Sequence, residues 1–155
     1  MKSLFFSLLV VLNLGVHAAD NYKRDIVEIA VDTPELSTLV TAVQVANLVD
    51  TLQSPGPFTV FAPTNTAFAN LPDGVLDDLL ANPSALRDVL LYHVASGKKN
   101  SRTLSRLTRL ETVLDEDVTI EERKDGLYIN DSKVIISDIK ASNGIIHVIN
   151  AVLIP

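Results

Sequence analysis

Val118-Thr119-Ile120-Glu121-Glu122-Arg123-Lys124-Asp125-Gly126-Leu127-Tyr128-Ile129-Asn130 is the stretch that decides the fold class. Val118 and Ile120 alternate with Thr119 and Glu121, and Leu127 and Ile129 alternate with Tyr128 and Asn130. This is the period of two that a half-buried strand imposes. Asp125-Gly126 between the runs supplies a hairpin turn. Onward from the hairpin the chain stays strand-like. Val134-Ile135-Ile136 and Ile145-Ile146-His147-Val148-Ile149 are β-branched runs joined through the turn pair Asn143-Gly144, and residues 151–154 are expected to close the sheet as a last strand.

Backward from the hairpin the period is helical. Thr33-Pro34-Glu35 is a start signal: Thr33 is suited to cap free backbone N–H groups, Pro34 fits the first helical position and Glu35 complements the positive end. Leu36, Leu39, Val40 and Val43 follow at helical spacing, and Val45, Leu48, Val49 and Leu52 repeat it. Ser54-Pro55-Gly56-Pro57 ends this region as a turn. Phe58-Thr59-Val60-Phe61 reads as a buried strand, followed by a short helix capped by Thr64 or Asn65. Further helical turns cover 75–80, and a helix opens at Pro83 with Leu86, Val89, Leu90 and His93 on one stripe. Helices first and strands last, without regular alternation, predict an α+β domain with an antiparallel meander.

The 155 residues carry 19 acidic and 13 basic side chains, a formal charge of −6, and no cysteine. An acidic domain repels a phosphate backbone, so nucleic acid is not an expected partner. The small cluster Arg102, Arg106, Arg109 runs straight into Glu111, Asp115, Glu116 and Asp117 and reads as a solvated mixed-charge face. Without cysteine there is no disulfide framework and no thiol nucleophile, so stability has to come from one packed core. Lys2, the apolar run through Leu12 and Val16-His17-Ala18 form a signal-peptide pattern over residues 1–18, with cleavage after Ala18 or Ala19. That run is shorter than the ~20 residues of a spanning helix. The expectation is a secreted chain, with 19–155 as a single domain and no membrane anchor.

Two distant segments then carry a family resemblance. Gly56-Pro57-Phe58-Thr59-Val60-Phe61-Ala62-Pro63-Thr64-Asn65-Thr66-Ala67-Phe68 resembles the first signature segment of fasciclin domains, and residues 143–155, from Asn143-Gly144-Ile145 to Leu153-Ile154-Pro155, resemble the second. Leu91-Tyr92-His93-Val94 between them is similar to the family's Tyr-His segment. The resemblance implies a wedge-shaped antiparallel β-sandwich flanked by helices from the N-terminal half. It also implies an extracellular adhesion or matrix-interaction role, with a protein or cell-surface partner that is integrin-like if the source is an animal, and with weak self-association left open. Asn65 stands where many members have Asp, and the Gly usual near 112–114 is absent.

The residues with chemistry divide by setting. Only His93 and His147 remain after residue 18, and neither belongs to a nucleophile elbow or a metal-ligand spacing. Asp115-Glu116-Asp117 and Glu121-Glu122 lack the spaced ligands and internal Gly of a calcium loop. No catalytic residue, metal or cofactor is therefore expected. His147, inside an apolar strand, is expected to be a core histidine held by hydrogen bonds, with Asn143 as its partner. Tyr92 and His93, packing at a helix end, and Asp138-Ile139, expected at an exposed strand end, resemble segments that bind receptors in animal members. Asn130-Asp131-Ser132 is a sequon, so Asn130 is the expected glycan site in a eukaryotic source. The rival functions are a carrier of a small apolar ligand, which needs an enclosed cavity of a few hundred cubic ångströms, and, behind it, a hydrolase.

Overall fold

The computed structural model describes residues 24–155; the signal-peptide pattern lies outside them. Seven helices, one 3-10 turn and seven strands are found among these residues. Helix α1 (Ile26–Val31) starts in a capping box: the Asp25 carboxylate accepts from Glu28 N–H at 2.8 Å while Glu28 accepts from Asp25 N–H at 3.0 Å. Periodicity did not pick out this helix, which spans under two turns.

Pro34–Leu36 is the 3-10 turn and leads into α2 (Ser37–Val45). Thr33 does not cap it. Its hydroxyl turns back to the Ile29 carbonyl, 2.7 Å away, and Asn65, distant in sequence, accepts from Thr38 N–H at 2.8 Å instead. Asn47 at φ 58° ends α2, and α3 (Val49–Gln53) follows, so the second apolar repeat is a break and a new helix.

Strand β1 (Phe58–Pro63) is buried from Thr59 onward. Thr64 caps α4 (Asn65–Ala69) by accepting from Ala67 N–H at 3.1 Å. Helices α5 (Val75–Ala81) and α6 (Pro83–Leu91) then lead to β2 (Val94–Ser96). After α7 (Ser101–Ser105) come β3 (Arg109–Glu111), β4 (Asp117–Arg123), β5 (Gly126–Ile129), β6 (Ser132–Ala141) and β7 (Gly144–Ile149).

The strands form one sheet in the order β2-β1-β7-β6-β5-β4-β3. The α+β class is as expected, and the meander β3 to β7 is antiparallel. The centre is not: β1 and β7 run parallel, in register from Phe58↔Gly144 to Pro63↔Ile149, because the chain crosses from one to the other through the rest of the domain. Gly144 is required by this pairing, since a Cβ there would lie 2.1 Å from the Phe58 carbonyl oxygen. Residues 151–154 do not form the expected last strand. Their groups go elsewhere: Ala151 N–H to Ser132 Oγ at 3.0 Å, and Leu153 N–H to His93 Nε2 at 2.9 Å.

The alternation along β1 and β7 serves two cores. Val60, Ala62, Ile146 and Val148 face α1, α2, α3 and α6, whereas Phe61 and Ile149 meet Val118, Ile120 and Ile129 from the far strands. Just past β3, Val113 N–H donates to the Val94 carbonyl of β2 at 2.8 Å. The two ends of the sheet thus meet, which encloses the second core.

Candidate functional site

His147 is fully buried on the second-core face of β7 and stacks on Phe61, ring centroids 5.9 Å apart. Its Nδ1 accepts from Asp138 N–H at 3.2 Å, and a backbone N–H can only donate, so the proton sits on Nε2 and is given to the Lys99 carbonyl at 2.8 Å. Burial pushes its pKa down, with the Lys99 bond and the Asp138 charge pulling the other way. His147 is therefore the satisfied core histidine expected from its strand, but Asn143 is not its partner. Asn143 instead accepts from Ile26 N–H at 3.0 Å and donates to the Leu52 and Ser54 carbonyls at 2.6 and 2.8 Å, tying α1 and α3 to the β6–β7 turn.

Asp138 sits where the β6–β7 register shifts, with φ 62°. The bulge aims its carboxylate at the start of α7: Oδ1 accepts from Ser101 N–H at 2.8 Å and Oδ2 from the Ser101 hydroxyl at 2.5 Å. Partial burial works against the charge, but these bonds hold the Asp138 pKa below the usual carboxylate value. Ile139 is half-buried and packs on the helix-side core. The Asp-Ile pair is thus half-buried rather than freely exposed, because the bulge ties the carboxylate to Ser101 and lays Ile139 against the helix-side core. Ile135 and Ile136 stand out at that rim instead, 47% and 54% exposed.

Tyr92 and His93 are core residues as well, 6% and 1% exposed. Tyr92 Oη donates to the Asp117 carbonyl at 2.9 Å, and His93 donates from Nδ1 to the Val89 carbonyl at 2.7 Å while Nε2 accepts from Leu153. Burial lowers the His93 pKa to about 4, against the raising effect of the Val89 bond. Neither ring offers a surface for direct contact. Asn130 is likewise turned inward: its Nδ2, the atom a glycan would use, donates to Tyr92 Oη at 3.2 Å, and Oδ1 accepts from Thr119 N–H at 2.8 Å. Ser132 of the sequon is buried with its hydroxyl on the Ala151 carbonyl. A glycan on the folded chain has to displace this network.

An open groove of about 510 Å³ lies between β6 and the α4 end of the sheet, lined by Glu35, Thr64, Asn65, Thr66, Asn70, Ile135 and Asn150. Sequence reasoning did not find it. Its residues come from the 3-10 turn, the ends of β1 and β7, helix α4 and strand β6, which only the tertiary fold brings together. Among the described residues no group of three or more His, Cys, Asp or Glu side chains is placed to hold a metal ion, and no helix is long and apolar enough to cross a membrane.

The family model of the fasciclin domain matches residues 34–155. The Synechocystis protein sll1735 is 52% identical over 130 residues, covering 84% of this chain and 97% of its own length. Transforming growth factor-beta-induced protein ig-h3 of Oryctolagus cuniculus is 40% identical over 119 residues, 77% of this chain and 17% of that protein. The FAS1 domain pair of the insect cell adhesion molecule Fasciclin I superposes with a TM-score of 0.68 at 21% identity, over 85% of this chain and 51% of that one, a likeness of fold. Matched from residue 34 to 155, a span that contains both central strands β1 and β7, the chain belongs to the fasciclin domain family.

Proposed function

We propose that the protein is an exported, single-domain binding module that acts by adhesion, engaging a protein or cell-surface partner through its exterior. The observation that carries this reading is the filled interior. The apolar cleft between α1, α2, α3 and α6, bordered by Val27, Val40, Gln44 and Val49, has a cavity of only about 70 Å³. Ligand sites commonly measure roughly 300–1,000 Å³, so a carrier role has no room there. Both histidines spend both ring nitrogens on the backbone, which leaves neither as a ready general base. Membership of the fasciclin domain family supports the same reading.

The test is retention. A surface coated with the folded protein is expected to hold a partner from the producing cell's extracellular material, saturably and in competition with soluble protein. Equal retention by heat-unfolded protein, or a purified chain carrying a stoichiometric small apolar molecule, would overturn the reading.

A further inference from the structure

The groove beside Ile135 is built rather than incidental. Its floor is fixed by bonds between distant segments: Asn65 accepts from Thr38 N–H and donates to the Pro34 carbonyl and the Ser37 hydroxyl, both at 3.0 Å, while Asn150 Oδ1 accepts from Lys133 N–H at 2.9 Å. Thr64 is spent on capping α4. Above this floor, Glu35, Thr66 and Asn70 are exposed and make no side-chain hydrogen bond among the described residues. Ile135 adds an exposed aliphatic side chain. The groove therefore combines three features: one apolar contact, one carboxylate with no basic residue in the lining, and amide and hydroxyl groups with unspent donors and acceptors.

We propose that this groove binds a peptide segment of a protein partner that presents an aliphatic side chain close to a Lys or Arg. Glu35 is the only ionisable lining residue, and the chain carries a net charge of −6, so the complementary occupant is cationic. Thr66 and Asn70 match the main-chain N–H and C=O groups that a peptide offers at regular spacing. Ile135 covers the aliphatic residue. No lining residue is aromatic, which disfavours a sugar as occupant because no ring is present for it to stack on. The fixed floor means that little ordering is lost on binding.

The inference rests on the adhesion reading and names its surface, and the experiment separates the two. Isotope-labelled folded protein is titrated with the capped peptide Ser-Gly-Ile-Arg-Gly-Ser, and amide resonances are followed. Saturable shifts are expected at Thr66, Asn70, Ile135 and Asn150. Binding should weaken at least tenfold when the peptide Arg is replaced by Glu, and tenfold in Glu35→Gln with loss of most of its salt dependence. Ile135→Asp, at an exposed site, should abolish the shifts while leaving the circular dichroism unchanged. No shifts, shifts away from the groove, equal response to the Arg and Glu peptides, or the same shifts from a neutral oligosaccharide such as cellotetraose would each overturn the proposal. Retention of a partner by the coated surface with an unresponsive groove removes the groove and keeps adhesion. A responsive groove on a protein that retains nothing does the reverse.

Discussion

At position 138 a single aspartate of β6 is bonded to both β7 and α7. Its backbone N–H serves His147, its two oxygens serve the first residue of α7, and its φ of 62° is one that alanine adopts poorly and asparagine tolerates. Asp138→Ala is therefore expected to cost about 2 kcal/mol, from the lost bonds to Ser101 and the left-handed backbone. Asp138→Asn keeps an acceptor and the conformation and should cost about half that. Urea titrations of both variants check the order; an Ala variant as stable as wild type would contradict the bulge geometry. His147→Ala leaves the Asp138 N–H and the Lys99 carbonyl without their partner and removes the ring stacked on Phe61. About 3 kcal/mol is expected, seen as a lower urea midpoint.

Among the elements, the parallel β1–β7 pair is the least tolerant. The Cβ of Gly144→Ala would collide with the Phe58 carbonyl, a backbone atom that cannot swing aside, so the strands have to part. A loss of about 3 kcal/mol or more is expected, and thermal unfolding of the variant reports it. Asn143 works one residue earlier and in a different way, as the peg between sheet and helices. Asn143→Ala orphans the Ile26 N–H and the Leu52 and Ser54 carbonyls, with an expected cost of about 3 kcal/mol. Hydrogen exchange distinguishes the two changes: in Asn143→Ala the amides of α1 and α3 should lose protection more than those of β4 and β5.

Over the whole molecule, acid acts on two neutral histidines that each accept a backbone N–H. In the unfolded chain they bind protons near their ordinary pKa of 6.5, whereas His93 in the fold does so only near about 4. Between these values the unfolded state holds more protons, so stability is complete above pH 6.5 and falls as the pH drops through the window. The His93 shift corresponds to a loss of about 3 kcal/mol at the acid end. His147, shifted in the same direction, adds to it. Urea midpoints at several pH values from 7.5 down to 4.5 are expected to fall steadily. In His93→Gln the slope should flatten by about one proton, and an unchanged slope would show that His93 does not titrate as its burial requires.

The sequence by itself determined the α+β class, the hairpin at Asp125-Gly126, the longer helices and strands and the buried setting of His147, because periodicity and β-branched runs are local properties that the fold then uses; the short α1, β2, α7 and β3 carry too few residues to show a period. Its signature segments around Phe58–Pro63 and Gly144–Ile149 marked the family for the same reason: they are the central strands, where composition is most constrained. The parallel sense of that pair, the exchange of partners between Asn143 and His147, the side-chain bonds of Asp138 and Asn130, and the groove at Ile135 were decided only by tertiary structure. Each depends on residues far apart in the chain, such as Asn143 with Ile26 and Leu52, or Asn65 with Thr38. A hydrogen bond across such a separation leaves no periodic trace, and a one-residue bulge is enough to turn a side chain from solvent to neighbour.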